Sequence, residues 1–447
     1  MVATATAARA SATATGGRAI PDPAEHRLTE LDSGVRVVTE AMPSVRSVAL
    51  GFFIGTGSRA ESDAQAGLSH LLEHLLFRGT ASYSSLEIDQ LFDAMGAELN
   101  AGTGKETTSV YARVLDRHLP RAFDAVADMV WRPLIQDVEL ERSVILQEIA
   151  MYEDDPQDKV FDVLGRAVFG DHPLGRAVIG RAEVIRGTPR EALVSFHAER
   201  YVPANVVIAA AGSVDHDELV AMARDRDTAA RAAPPSLGGA PRPGRPTLEF
   251  ERKDTEQYHV CLGAPGVSRH DDRRFALRVL DAILGGTSSS RLFQEVREKR
   301  GLAYSVYSFS SQYADTGQVG VYVGTGPEHL AEAMRVLAAE LDRQREDPAS
   351  GEELDRAKEN AKGRLVLSLE STATRMNRLG ASIITGVPLL SVDELIDRID
   401  RVTVEDVREL VDELYTPARL SAAGIGPDEE AFRAALEPLG AVAAEAA

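Results

Sequence analysis

Apolar and polar residues follow two different periods along this chain. Alternation with period two predicts β-strands, and apolar positions three and four residues apart predict amphipathic helices. The first half has strand patterns at 35–40, 47–54 and 107–114 and helix patterns at 67–77, 85–95, 119–131 and 138–152. The second half has strand patterns at 258–263, 303–312 and 317–324 and helix patterns at 273–284, 328–345 and 352–369. Hairpin strands with helices grouped between them favour an α+β fold with mixed, mostly antiparallel sheets covered by helices.

A repeat shows that this pattern occurs twice. Four residues recur 214 positions later, namely Tyr201, Pro203, Ala204 and Gly212 as Tyr415, Pro417, Ala418 and Gly426. In both copies a helical pattern precedes the tyrosine and a short apolar strand follows it, so the sequence predicts one domain that has been duplicated. The predicted divisions are a tail at 1–25, a domain at 26–230, a Pro/Gly-rich linker at 231–247, a homologous domain at 248–436 and a tail at 437–447.

Composition narrows the possible partners. The chain of 447 residues has 69 acidic and 49 Lys or Arg residues, a formal net charge of −20. Such a surface repels phosphate groups, so neither nucleic acid nor a membrane is an expected partner. Cys261 is the only cysteine, which excludes a disulfide and a cysteine-based zinc site and favours a cytoplasmic location. For residues 1–25, rich in Ala and Thr, an organellar targeting segment is the alternative to a plain disordered tail.

The most specific chemical signal is His70-Leu-Leu-Glu73-His74. On a helix, residues four apart share a face, so both imidazoles can reach one metal ion while Glu73 lies beside them. Histidine is a common zinc ligand, and a neighbouring carboxylate is the usual general base toward water. A chance pair of histidines is the alternative, but burying this charged triplet among leucines without a partner would be costly.

A catalytic zinc site needs a third protein ligand. The predicted helix at 138–152 carries Glu139, Glu141 and Glu148 among apolar residues. Because Glu141 and Glu148 are seven residues apart, they lie on the same helix face. Spacing alone leaves the choice between these two open.

Two motifs resemble the pitrilysin/insulinase (inverzincin) family, in particular its short two-domain members related to mitochondrial processing peptidase. They are residues 67–80, GLSHLLEHLLFRGT, and residues 141–148, ERSVILQE. His-x-x-Glu-His is the mark of inverzincins. The resemblance implies that His70, His74 and Glu148 hold one Zn²⁺ per chain. It also implies that Glu73 is the general base and that Glu141 supports the metal site from behind.

Two further segments resemble parts of the family that bind the substrate. Residues 96–102, GAELNAG, are similar to an edge strand that binds extended peptide, which implies substrate-binding roles for Asn100 and Ala101. Arg297 and Tyr304 are similar to a pair that reaches the substrate, with Tyr304 stabilising the oxyanion. The resemblance also implies a clamshell with an enclosed chamber. We expect a homodimer, with a heterodimer with a homologue as the alternative.

These features predict a zinc-dependent endopeptidase that hydrolyses peptides or unfolded polypeptides. One alternative is a specialised peptidase that processes leader peptides or presequences. Another is a peptide-binding partner subunit of a heteromeric peptidase, although such subunits usually lose part of the zinc motif and this chain retains all of it.

Overall fold

The computed structural model describes residues 26–227, 236–242 and 244–440. The predicted N-terminal tail at 1–25 lies outside the described residues, as do residues 228–235 and 243 around the predicted linker and residues 441–447 of the predicted C-terminal tail. Residues 437–440 of the predicted tail are described: they form a short turn, and Leu439 is buried in the hydrophobic core of the second half.

The described strands form two sheets. The strands are β1 (Arg27–Glu30), β2 (Arg36–Ala41), β3 (Ser47–Ile54), β4 (Glu98–Thr103), β5 (Thr108–Leu115), β6 (Val206–Gly212), β7 (Leu248–Arg252), β8 (Tyr258–Gly266), β9 (Ala303–Gln312), β10 (Gly317–Thr325) and β11 (Ser421–Gly426). The first sheet has the order β1-β2-β6-β3-β5-β4, and the second has the order β7-β11-β8-β10-β9. Each sheet contains one parallel pair, β2 with β6 and β7 with β11, and is otherwise antiparallel.

The helices lie between these strands, and the order of helices and strands is similar in the two halves. The first half contains α1 (Leu68–Leu75), α2 (Ser85–Met95), α3 (Leu119–Trp131), α4 (Val138–Asp154), α5 (Pro156–Phe169), α6 (Ala182–Gly187), α7 (Arg190–Arg200) and α8 (His216–Asp225). The second contains α9 (Arg274–Leu284), a π-helical turn (Phe293–Glu298), α10 (Leu330–Glu346), α11 (Gly351–Ser368), α12 (Thr372–Thr385), α13 (Val392–Asp400), α14 (Val404–Leu414) and α15 (Glu429–Ala435). No helix within the described residues is both long and apolar enough to cross a membrane.

The order of elements agrees with duplication of one α+β unit, and the predicted fold class is confirmed. The first half has three strands, two helices, an edge strand and its neighbour, five more helices and a central strand. The second half has two strands, one helix with a π-helical turn, an edge strand and its neighbour, five more helices and a central strand. The two Tyr-x-Pro-Ala segments occupy matching places, directly before the fully buried central strands β6 and β11. The 214-residue repeat therefore covers the connection between the last helix before the central strand and that strand in each half.

Two helices are exchanged between the halves. Helix α5, from the first half, packs Val160, Val163 and Leu164 against Cys261 and Ile425 of the second sheet. Helix α12, the matching helix of the second half, packs on the first sheet, where Met376 and Leu379 lie with Phe53, Val207 and Ala209. The sequence analysis predicted neither helix, although both carry apolar residues at helical spacing, at 160, 163, 164 and 167 in α5 and at 376, 379 and 383 in α12. Each half therefore completes its core with a helix of the other.

Buried charge pairs also join the two halves along this contact, which we call the seam. Glu40 on β2 pairs with Arg375 and Arg378 of α12. At the turn between β4 and β5, Glu106 pairs with Arg59 of the first half and with Arg269 of the second. Partnered charges of this kind are tolerated in a protein interior, whereas removing one partner leaves a buried charge unpaired. The second half thus holds the end of the β4–β5 hairpin.

The described part of the predicted linker is also held against the protein. The carbonyl oxygen of Gly239 accepts hydrogen bonds from Arg59 (3.0 Å) and from the His172 ring (3.0 Å). The linker therefore follows the boundary between the halves near the buried Arg59–Glu106 pair.

The exchange of helices predicts a stability effect. Leu164→Ala removes a fully buried side chain at the seam, so we expect the free energy of unfolding to fall by about 2–5 kcal/mol. Chemical denaturation followed by circular dichroism measures this loss. Leu367→Ala, the same change at a side chain that is 68% exposed on α11, is the control and should change stability by no more than about 0.5 kcal/mol. Equal losses in the two variants would contradict the packing of α5 on the second sheet.

Candidate metal centre

The helix that carries the two histidines begins at a close contact between two backbones. Gly67 has φ of +100°, and Gly180, with φ of +85°, lies against it. A Cβ at Gly67 would lie 2.9 Å from the Cα of Gly180, and a Cβ at Gly180 would lie 2.2 Å from the Cα of Gly67. Glycine is needed at both positions because only it avoids the clash and adopts these backbone angles without strain.

A buried carboxylate completes the start of α1. Glu61 accepts hydrogen bonds from the backbone N–H groups of Gly67 (2.8 Å) and Ser69 (2.7 Å). A negative charge at this end also interacts favourably with the helix dipole. Burial raises the pKa of Glu61, and these backbone hydrogen bonds oppose the rise. Glu61 therefore fixes the first turn of α1, from which His70 projects.

The structure brings the three predicted ligands together. Helix α1 packs on α4, and one ligand atom from each of His70, His74 and Glu148 lies within 4.8 Å of the other two. The Nε2 atoms of His70 and His74 lie 3.7 Å and 3.6 Å from the two Glu148 oxygens. Within the described residues, this is the one group of three or more His, Cys, Asp or Glu side chains that could hold a metal ion.

Glu141 lies behind the histidine pair instead of among the ligand atoms. Its carboxylate contacts Nδ1 of His74 at 2.9 Å and also pairs with Arg78. A proton on Nδ1 donated to Glu141 leaves the Nε2 lone pair of His74 directed at Glu148. A carboxylate held behind a histidine in this way fixes the ring orientation and is common at zinc sites. The geometry thus places Glu148 among the potential ligand atoms and Glu141 behind His74, a choice that spacing left open.

The donor set fits zinc. Two imidazole nitrogens and one carboxylate oxygen are the ligands of many catalytic zinc sites, which leave one position open. Burial, and then the neighbouring His74, lower the pKa of His70 to about 4. His70 is therefore neutral near pH 7, the state in which imidazole binds a metal. The other ring nitrogen of His70 is buried without a hydrogen-bond partner among the described residues.

Glu73 lies next to this cluster and has a partner that the sequence analysis missed. The hydroxyl of Thr103, the last residue of β4, donates a 2.5 Å hydrogen bond to the Glu73 carboxylate. Burial raises the pKa of Glu73, and the Thr103 hydrogen bond and His74 oppose the rise. A carboxylate with a raised pKa is suited to accept and release a proton near neutral pH.

The strand that carries Thr103 is an edge of the first sheet. β4 pairs only with β5 in this sheet, and it packs beside α1. Asn100 and Ala101 lie in its middle, and the Asn100 side chain accepts a hydrogen bond from the Ala101 N–H (2.8 Å). An edge strand has backbone groups on one side that can pair with an extended peptide. The predicted edge strand therefore lies next to the metal centre.

The predicted Arg/Tyr pair lies in the second half. The Arg297 guanidinium lies 4.3 Å from the centre of the Tyr304 ring and donates to the Tyr304 carbonyl oxygen (3.1 Å). Tyr304 is 75% exposed at the start of β9. Among the described residues, no hydrogen bond, ion pair or ring contact joins this pair to His70, Glu73, His74 or Glu148.

The duplicated fold and the His-x-x-Glu-His helix define the inverzincin class of zinc-peptidase folds. A family model described as insulinase, peptidase family M16, matches residues 36–182, and one described as the peptidase M16 inactive domain matches residues 189–361. The chain belongs to this family, as one of its short, two-domain members.

Similar proteins cover nearly the whole chain. An uncharacterized zinc protease of Streptomyces coelicolor is 45% identical over 418 residues, 91% of each chain. One of Mycobacterium tuberculosis is 46% identical over 408 residues, 90% of this chain and 93% of the relative. One of Bacillus subtilis is 40% identical over 387 residues, 86% of this chain and 94% of the relative.

Solved structures agree on the fold. A protease from Helicobacter pylori superimposes with a TM-score of 0.84 at 21% identity, over 90% of this chain and 100% of that one. A chain of Complex III2 from Candida albicans gives a TM-score of 0.81 at 22% identity, over 92% and 99%. At these identities the likeness shows the fold alone, so the chemistry must be argued from the site.

The contact at the start of α1 predicts different effects for two glycines. Gly67→Ala adds both backbone strain and a clash with Gly180, and we expect it to lower the free energy of unfolding by more than about 1 kcal/mol. Gly96→Ala is the matched control, since Gly96 also has a positive φ of +59° but has no atom within 4 Å of the added carbon. Urea denaturation compares the two variants. A smaller loss for Gly67→Ala than for Gly96→Ala would contradict the close contact.

Proposed function

We propose that this chain is a zinc-dependent endopeptidase that hydrolyses peptides or unfolded polypeptides. The observation that carries the proposal is the convergence of His70, His74 and Glu148 next to the half-buried Glu73. The names of the relatives, zinc proteases, support the same chemistry.

Each residue of the cluster has a separate task. His70, His74 and Glu148 hold the ion, and Glu141 keeps the His74 ring in place. Bound zinc supplies Lewis acidity toward the scissile carbonyl group and the attacking water. Glu73 accepts a proton from that water and delivers it to the leaving amine. Burial, which raises the pKa of Glu73, makes the carboxylate a stronger base for this transfer.

The free edge of β4 supports a peptide substrate in extended form. The backbone of residues around Asn100 and Ala101 would pair with the substrate main chain. Main-chain pairing requires an unfolded segment and reads little of its side-chain sequence. This supports cleavage of peptides or unfolded chains, within the enclosed chamber that the clamshell fold implies.

Tyr304 enters this mechanism through a second copy of the chain. Among the described residues of one chain, no hydrogen bond, ion pair or ring contact joins it to the metal cluster, yet it is exposed and its ring is held against Arg297. We therefore propose a homodimer in which Tyr304 of one copy stabilises the oxyanion at the metal centre of the other. A heterodimer with a homologous chain would place a different tyrosine there.

Two alternatives share this site. A processing peptidase for leader peptides or presequences would use the same residues and differ only in substrate choice. A peptide-binding partner subunit would not need Glu73, and the Glu73–Thr103 hydrogen bond favours the enzyme.

Removing the general base tests the reaction. We expect Glu73→Gln to lower the rate of cleavage of quenched fluorescent peptides by at least about 100-fold, because the amide cannot accept the proton. Zinc content, measured by elemental analysis, should stay near one ion per chain in this variant. His70→Ala is the comparison and should lose both zinc and activity. Activity that survives Glu73→Gln, or wild-type protein that binds no zinc, would contradict the mechanism.

Mixing two impaired variants tests the dimer. Glu73→Gln leaves Tyr304 intact, and Tyr304→Phe leaves Glu73 intact, so a mixed dimer rebuilds one complete site. We expect each variant alone to be impaired and an exchanged equimolar mixture to recover about a quarter of the wild-type rate. Sedimentation should show a dimer. No recovery in a mixture whose subunits have exchanged would contradict sharing of the site between two copies.

A further inference from the structure

A set of hydroxyl groups lies behind the Glu73 carboxylate and was not part of the predicted site. We infer that Thr103 and Tyr201 are positioning residues that hold Glu73 in the orientation needed to act as a base. This inference rests on the proposed function, since it gives these residues a role in the same reaction. It also assigns a role to Tyr201, the tyrosine of the repeat, which in the sequence served only as a sign of duplication.

Thr103 makes the direct contact. Its hydroxyl donates to Glu73 at 2.5 Å and lies 3.4 Å from the hydroxyl of Thr108 on the neighbouring strand. Thr108 in turn donates to the carbonyl oxygen of Thr56 (3.0 Å) and is fully buried. The Glu73 carboxylate is therefore joined to the rigid β4–β5 pair, and one of its oxygens has a fixed partner.

Tyr201 lies directly after α7, which packs against α1. It is 5% exposed, and its ring stacks on His197 at 4.6 Å, which fixes the direction of its hydroxyl. That hydroxyl neighbours Thr108, interacts electrostatically with the Glu73 carboxylate, and has no directed hydrogen-bond partner among the described residues. Burial, and then Glu73, raise the pKa of Tyr201, so the hydroxyl keeps its proton. A buried donor without a partner is costly, and the Glu73 carboxylate is the charged group with which this one interacts.

The second half contains the same arrangement without the metal ligands. Asp281 on α9 accepts a hydrogen bond from Ser310 on the edge strand β9 (2.8 Å), as Glu73 does from Thr103 on β4. Tyr415, the repeat partner of Tyr201, is buried and interacts electrostatically with Asp281, and its hydroxyl also lacks a partner among the described residues. The fold thus builds a carboxylate, a hydroxyl and a buried tyrosine into both halves. Only in the first half does the carboxylate adjoin a histidine pair.

This difference separates a positioning role from a structural one. If the tyrosine only stabilises the fold, removing its hydroxyl should have the same effect in both halves. If it positions the base, removing it should slow the reaction only when the change is in the first half. The chain therefore contains its own matched control.

The first experiment changes Thr103. Thr103→Val keeps the shape of the side chain and removes the hydroxyl, and we expect kcat for a quenched fluorescent peptide to fall about tenfold with KM and zinc content unchanged. Thr103→Ser restores the hydroxyl and should recover most of the wild-type kcat. A Thr103→Val variant with the wild-type kcat would overturn the role of Thr103. Equal losses in the Ser and Val variants would show that the methyl group matters, which also overturns it.

The second experiment compares the two tyrosines. We expect Tyr201→Phe to lower kcat about tenfold with KM and zinc content unchanged, whereas Tyr415→Phe should keep the wild-type kcat. Both variants should unfold at similar denaturant concentrations because each loses one buried hydroxyl. Equal kcat values for the two variants would overturn the inference and leave the arrangement as a feature of the fold. Wild-type protein that binds zinc but cleaves no peptide would instead contradict the proposed function.

Discussion

The exchange of α5 and α12 is the interaction on which the metal centre depends. Helix α4 carries Glu148, and after the single residue Asp155 the chain continues into α5, which is packed on the second sheet. The side chain of Asp155 caps α5 by accepting from the N–H groups of Gln157 and Asp158. One end of α4 therefore packs on α1, and the other is anchored to the second half. The distance between Glu148 and the histidines is set by both halves together.

Sequence periodicity predicted the elements whose surroundings are local. Helices α2 and α3 begin and end where their patterns do, because each has one continuous apolar face on its own half. The sequence analysis missed α5 and α12, although their apolar residues have helical spacing; these residues pack on the sheet of the other half. Periodicity reports that a face is buried and carries no information about which surface buries it. The 214-residue repeat predicted two copies of one fold but could not predict that they exchange a helix.

The residues of the site also fall into those that local sequence predicted and those that required the fold. The i, i+4 spacing placed His70 and His74 on one face because a single helix determines their geometry. Glu148 and Glu141 share a face of α4, and only the packing of α1 on α4 separates a ligand atom from a supporting one. The histidine helix is also contacted by Glu61, Gly180 and Thr103, which lie between 8 and about 110 residues away in the sequence. A single sequence contains no signal that pairs residues so separated. The repeated tyrosine was visible as a motif, but its burial and its interaction with Glu73 required the fold.

The place of Cys261 gives this architecture a built-in reporter. The thiol is the only one in the chain, is fully buried, and lies where α5 packs on the second sheet. Burial raises its pKa, so the thiol is unreactive while the seam is closed. Modification by a thiol reagent therefore requires local opening, and its rate under native conditions measures how often the two halves release the exchanged helix. The same chain, without any substitution, can show whether metal or peptide binding makes that opening rarer.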